Sequence, residues 1–244
     1  MKRFSTIAVP HKDILEGRLT MDVFAADLER VCRNEGPDEY RDAETFFQKT
    51  FLTEGLKNLL DRVEKRLKGE GGEPVIQLQT PFGGGKTHAL IAMYHRAKEW
   101  NVKNIVLVGT ELSVEETLWG EIEKQLTGQV SSLDGHIAPG KKRLRKLLEE
   151  NQPVLILMDE VLEYVTKAAG IRVEESTLAA QTIAFMQELT ETAGALGQVS
   201  LVVTLPSSIT EHYNESAEQL FQKLQKVSGR MEKIFTPVQD NEIP

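Results

Sequence analysis

The stretch Thr80-Pro81-Phe82-Gly83-Gly84-Gly85-Lys86-Thr87-His88 carries the residue types that chemistry on a phosphate chain requires. Glycines have no Cβ, so backbone N–H groups can close on an anion. A lysine supplies a mobile cation, and a hydroxyl beside it can ligate Mg²⁺. Three glycines followed by Lys and then Ser or Thr arise by chance in under about one in a thousand chains of this length. A loop that merely turns the chain does not account for Lys86-Thr87 opening a helix. All nine residues are therefore expected to line a nucleoside triphosphate, with Lys86 on its β- and γ-phosphates and Thr87 on the metal. Thr80 stands where such a loop usually begins with glycine. That position shapes the turn, and the change is expected to be tolerated. His88, in the first helical turn, is expected to pack or hydrogen-bond behind the loop.

A phosphate loop needs an acid on a neighbouring strand. The apolar run Val154-Leu155-Ile156-Leu157-Met158 ends in Asp159-Glu160, and parallel strands deliver ligand-binding groups at their carboxyl ends. Asp159 is expected to hold Mg²⁺ directly or through water, and Glu160 to orient and deprotonate the attacking water. The alternative is a pair of acids capping the next helix. An acid directly after the metal carboxylate points to hydrolysis rather than transfer to a small acceptor, as in a small-molecule kinase. Two further residues complete the candidate set. Thr204, near the end of the run Val199–Leu205, is either a sensor of the γ-phosphate, with Ser207 as its rival, or simply a good strand former. Arg230, in Ser228-Gly229-Arg230, is either an arginine finger reaching a neighbouring subunit's γ-phosphate or a basic side chain at a helix C-terminus.

The elements that must position these residues alternate. Strands are expected at 75–79, 104–108, 154–158, 199–205 and 233–236, and helices at 86–100, 141–151, 176–195 and 215–227. Ser113-Val114-Glu115-Glu116 reads as a capping box opening a helix that ends near Gly128. Such alternation implies βαβ units and a parallel five-stranded sheet between helices, the fold class of a P-loop NTPase. Residues 1–73 read as a helical extension and 74–244 as the α/β core. The clearest piece of the extension is an amphipathic stretch from Glu44 to Leu67, broken at Gly69-Glu70-Gly71-Gly72-Glu73-Pro74.

The chain has 244 residues and a formal net charge of -8, an acidic balance that argues against the whole surface gripping nucleic acid. The run Lys141-Lys142-Arg143-Leu144-Arg145-Lys146 could touch DNA or an acidic partner, but a solvated helix face is the favoured reading. A single cysteine, Cys32, rules out an intrachain disulfide and reads as a small core residue in the helical stretch Val23–Arg33. No apolar run approaches the ~18 residues that span a bilayer, so a cytoplasmic protein without a membrane segment is expected. His11, His95, His136 and His212 lack metal-ligand spacing, and Trp100 and Trp119 read as packing residues. ATP is expected over GTP, because no guanine-reading Asn/Thr-Lys-x-Asp stretch is found.

Together, the glycine loop, Asp159-Glu160, the polar end of the fourth strand and Arg230 before the fifth resemble the core of the AAA+ class of ATPases. The tail Arg230 to Val238, then Glu242-Ile243, is similar to the segment leading into that class's small helical lid. The resemblance implies a chain truncated before the lid and its second sensor arginine. It also implies that the helix before the first strand lies over the adenine, so that the Phe51–Leu56 region walls the base; a plain core helix face is the alternative. A closer resemblance is to a family of large prokaryotic ATPases with a Thr-Pro-Phe-Gly-Gly-Gly-Lys-Thr-His loop, here Thr80 to His88. Its softer N-terminal elements match Phe24-Ala25-Ala26-Asp27-Leu28, Glu39-Tyr40 and Phe46-Phe47-Gln48-Lys49-Thr50. Members are linked to anti-phage defence islands beside DNA methyltransferases and resemble distant kin of the BREX-system ATPase. The resemblance implies ATP and Mg²⁺ as cofactors, self-association through ATPase interfaces, and a DNA, methyltransferase or defence-complex partner. A nucleotide-gated scaffold with little hydrolysis is the alternative to a motor.

Overall fold

A computed structural model of the chain describes residues 25–80, 84–206, 215–228 and 232–235. Along the chain these form α1 (Leu28–Cys32), α2 (Asp38–Arg41), α3 (Ala43–Lys49), α4 (Glu54–Lys68), β1 (Val75–Thr80), α5 (Lys86–Glu99), β2 (Lys103–Val108), α6 (Leu118–Thr127), α7 (Lys141–Asn151), β3 (Val154–Asp159), α8 (Val161–Ala168), β4 (Arg172–Val173), β5 (Ser176–Thr177), α9 (Leu178–Ala195), β6 (Val199–Pro206), α10 (Glu215–Ser228) and β7 (Glu232–Phe235). The architecture is α/β. Four parallel strands run in the order β2-β3-β6-β1, and the backbone of β7 lies parallel along the outer side of β1. The strand that carries Asp159 is separated from β1 by β6, with Met158 opposite Val203 and Leu78 opposite Thr204.

Period-two alternation explains how one sheet supports two apolar layers. In β3, Val154, Ile156 and Met158 join the cluster that includes Trp119, Leu148, Tyr164 and Phe185 of α6–α9. Leu155 and Leu157 join the opposite cluster with Leu90, Ile91 and Met93 of α5 and with Leu28, Phe46, Leu59 and Val63. The described N-terminal helices therefore share a core with α5. Both layers cover the sheet, which is why β3 reads as an unbroken apolar run. Edge strand β2 is capped by a side chain: the Gln125 amide on α6 donates to Val106 O (2.8 Å) and accepts from Val106 N (2.9 Å), blocking an open hydrogen-bonding row.

Three boundaries differ from the pattern-based expectation, each for a local hydrogen-bonding reason. The stretch 44–67 is two helices, because the Thr53 hydroxyl accepts from Leu56 N (3.0 Å) and starts α4 afresh. The capping box at Ser113 forms only in part: Glu116 Oε2 accepts from Ser113 N (3.0 Å), yet the helix starts at Leu118 because the Thr117 hydroxyl caps Gly120 N (3.1 Å). Helix α9 starts at Leu178 rather than Ser176, since Ser176–Thr177 pairs antiparallel with Arg172–Val173. The sequence pattern assigns no element to Val161–Ala168, which forms α8 and buries Val161, Leu162, Tyr164, Val165 and Ala168. Of the expected helix over Val23–Arg33, Val23 and Phe24 lie outside the described residues and Leu28–Cys32 forms α1; Cys32 there is half-buried, its thiol pushed up to about 12 mainly by burial.

Candidate functional site

Strand β1 delivers Thr80, which is 1% exposed, to the carboxyl edge of the sheet. Pro81, Phe82 and Gly83 lie outside the described residues. The chain re-emerges at Gly84, and Gly85 caps α5 with φ 76°, a left-handed conformation that glycine adopts without steric cost. Gly85 has no side chain to cap the helix, so the first N–H groups of α5 are not taken by a cap. Lys86 folds back over this turn, and its ammonium donates to Thr80 O (3.0 Å) and lies 3.5 Å from Thr80 Oγ1. Burial lowers the Lys86 pKa below the ordinary lysine value, while the Asp159 and Glu160 carboxylates work against that shift.

Thr87 and Asp159 meet across the edge. The Thr87 hydroxyl donates to Asp159 Oδ2 at 2.8 Å. The other carboxylate oxygen, Oδ1, accepts from the Thr204 hydroxyl (2.5 Å) and from Glu160 N (3.1 Å). Asp159 is only 4% exposed, so these bonds are what keep a buried charge tolerable. β6 lies between β1 and β3, and it brings Thr204 onto Asp159, a contact that the threonine's strand propensity alone does not explain. Thr204 Oγ1 also accepts from Glu160 N (3.1 Å).

Glu160 occupies the left-handed region, φ 51° and ψ 33°, where a non-glycine residue costs roughly 1–2 kcal/mol. That backbone turn follows directly on β3 and starts α8, so the acid pair does lie at a helix start, but Glu160 makes no side-chain cap bond there. Its Oε2 instead accepts from the Thr110 hydroxyl at 2.8 Å. Burial is the main cause that raises the Glu160 carboxyl pKa; the Thr110 hydroxyl lowers it, and Asp159 and Glu163 add to the rise.

Gly109, Thr110 and Lys167 belong to this arrangement and are missed by a motif search. A Cβ on Gly109 would lie 2.0 Å from Glu160 O, so only glycine fits. Gly109 N donates to Asp159 O (2.9 Å). The Lys167 ammonium holds the same loop by donating to Thr110 O (3.0 Å) and Leu112 O (2.8 Å). The available signal is positional: Gly109-Thr110 follows β2 at the same sheet edge.

His88 does pack behind the loop. Its Nε2 lies 3.0 Å from Thr50 Oγ1 and its ring 4.7 Å from that of Phe46. Burial pushes its imidazole below the ordinary histidine value. His95 bonds Tyr40 O (2.7 Å). Of the Phe51–Leu56 region, Phe51 is 78% exposed while Leu56 is buried. Arg230, Ser207, His11 and His212 fall outside the described residues, as does the tail after Phe235. The basic run lies on α7 with Lys141, Lys142, Arg143, Arg145 and Lys146 all exposed. Lys141 pairs with Glu191 (2.9 Å) and Lys146 with Glu150 (3.8 Å). Trp119 is fully buried and Trp100 packs partly buried.

Among the described residues no group of three or more His, Cys, Asp or Glu converges on one point. A hard divalent cation bound through phosphates does not need such a group. Thr87 and Asp159 bring together two hard oxygens, the donor type that such a cation takes. Among the described residues no helix is long and apolar enough to cross a membrane.

Fold and edge together define an α/β protein whose parallel sheet gathers Lys86, the hydroxyls of Thr87, Thr110 and Thr204, and two carboxylates at its carboxyl end. A family model described as the DUF499 N-terminal domain matches residues 3–111 and 108–241. The chain belongs to this family. Comparison with curated proteins gives no match.

Proposed function

We propose that this chain binds Mg²⁺–ATP at the carboxyl edge of its sheet and hydrolyses it. The Thr87–Asp159 contact carries the reading: two hard oxygens from different elements meet beside Lys86, at the start of a helix without a side-chain cap. In this reading the sheet is a five-stranded P-loop sheet of the AAA+ kind, with β7 as its outer member. The phosphates rest on the glycine loop and the first N–H groups of α5, where the helix dipole favours an anion. Lys86 exchanges its carbonyl partner for the β- and γ-phosphates. Thr87 and Asp159 hold the metal, which supplies neutralising charge to the phosphates when bound. Glu160 takes the proton of the attacking water, and its raised pKa brings it closer to neutral pH, where a general base works best. Thr204 links the acid pair to β6, and Arg230 completes the charge clamp from a neighbouring copy. Phe51, exposed and tied to α5 through Thr50, walls the base. The resemblance to defence-linked ATPases supports reading the chain as the ATPase module of a larger anti-phage or DNA-related protein in the cytoplasm, with a DNA, methyltransferase or defence-complex partner.

One observation favours a second reading, a nucleotide-gated scaffold with little hydrolysis: Glu160 is held by Thr110 rather than free. Calorimetry with Mg²⁺–ATP, alongside phosphate release, separates the readings. Lys86→Ala is expected to abolish binding. Glu160→Gln is expected to keep binding and lose release. Failure of the wild-type chain to bind Mg²⁺–ATP would overturn the proposal; tight binding with no release in the wild type would select the scaffold.

A further inference from the structure

A helix that receives an anion at its N-terminus faces a conflict. A side-chain cap would anchor the first turn, but it would occupy the N–H groups that the anion needs. Helix α5 begins at a glycine with no cap bond, and its first turn is tied down elsewhere. On the sheet side, Thr87 bonds Asp159 (2.8 Å). On the other side, His88 Nε2 meets Thr50 Oγ1 (3.0 Å). The two ties come from adjacent residues about 100° apart around the helix, so they brace the turn from different directions and fix both its height and its rotation.

The second tie is built into a larger contact. The buried ring of Phe46 lies between two histidines on the same face of α5, two turns apart, 4.7 Å from His88 and 5.3 Å from His95. His95 Nε2 bonds Tyr40 O (2.7 Å), and the Tyr40 ring meets His88 edge-on at 6.1 Å. Helices α2 and α3 therefore grip α5 in its first turn, at His88, and in its third, at His95. Thr50 ends that grip, at the C-cap of α3, three residues before Thr53 starts α4.

We propose that His88 is a positioning residue for the nucleotide site, and that the N-terminal helices act through the His88–Thr50 bond as the external brace of the phosphate-binding turn. This rests on the nucleotide reading above. The brace makes phosphate binding depend on a segment that precedes the glycine loop by some thirty residues, and it leaves the α5 N–H groups open.

The test has one readout that needs no nucleotide. Thr50→Val removes the hydroxyl and keeps the shape, while Thr50→Ser keeps the hydroxyl. Hydrogen exchange of the unliganded protein is expected to quicken about fivefold at Ala89 and Leu90 in Thr50→Val, the worth of one hydrogen bond, with β3 and β6 unchanged and Thr50→Ser like wild type. The Mg²⁺–ATP dissociation constant is expected to rise by a similar factor in Thr50→Val, with turnover at saturation little changed. Unchanged exchange at Ala89 and Leu90, faster exchange through the whole sheet, or faster local exchange with unaltered affinity would each overturn the brace. If the wild type binds no Mg²⁺–ATP, the nucleotide reading itself fails and His88 positions nothing, whatever the exchange shows.

Discussion

Two buried carboxylates in this protein are satisfied in different ways. Glu123 on α6 is 2% exposed and accepts from three successive backbone N–H groups, Ser131 (2.8 Å), Ser132 (2.9 Å) and Leu133 (2.8 Å), and from the Ser131 and Ser132 hydroxyls. Asp159 is comparably buried, but two of its three bonds come from the Thr87 and Thr204 hydroxyls. Backbone N–H groups can only donate, and they move only if the loop unfolds. Hydroxyls rotate, and a threonine that donates to a carboxylate can turn its lone pairs to a metal instead. The first arrangement pins the loop between α6 and α7; the second is held closed but can be reopened.

Breaking the pinned carboxylate is expected to have the largest effect on stability. Glu123→Gln removes the charge that collects these donors and is expected to cost about 3 kcal/mol, measured by denaturant unfolding. The same group sets an acid transition. Burial alone would raise its pKa, but the Ser132 hydroxyl and the Ser131, Leu133 and Ser132 N–H groups outweigh this and hold it at about 2. A depressed pKa stabilises the fold above the unfolded-state value, and the stabilisation is lost as pH falls through the folded-state value. Wild-type stability should therefore fall between about pH 4.5 and about pH 2, and Glu123→Gln should flatten that fall. A variant as stable as wild type, or one with the same acid slope, would remove the contrast.

Asp159→Asn is expected to do the reverse. It relieves a buried charge, so the unfolding midpoint should hold or rise, while Mg²⁺–ATP affinity drops by roughly 30-fold. Loss of stability with unchanged affinity would class Asp159 with Glu123. The smallest expected effect belongs to Thr110→Val. Losing its single bond to Glu160 should raise phosphate release about threefold without changing ATP affinity. A fall in release would mean that Thr110 orients Glu160 for the reaction rather than restraining it.

The pairing at the site was only partly legible beforehand. Lys86, Thr87, Asp159 and Glu160 stand out because their spacing from a glycine run or an apolar run is local, and local spacing survives without knowledge of the fold. Thr204 had two open readings, and only β6 lying between β1 and β3 decides that its hydroxyl meets Asp159. Thr110 and Gly109 carry no motif; they matter because β2 ends in register with β3, with Val108 opposite Asp159. Thr50 and His88 are 38 positions apart and meet only because α3 packs on α5.

By itself the amino-acid sequence determined the alternation of strands and helices, the buried character of β3, and the residue types at the carboxyl edge. These follow from periodicity, capping and glycine geometry, which act over a few residues. Only the tertiary structure decided the strand order and which hydroxyl answers which carboxylate. Those depend on contacts between segments far apart in the chain, whose pairing is set by how two apolar layers close on one sheet.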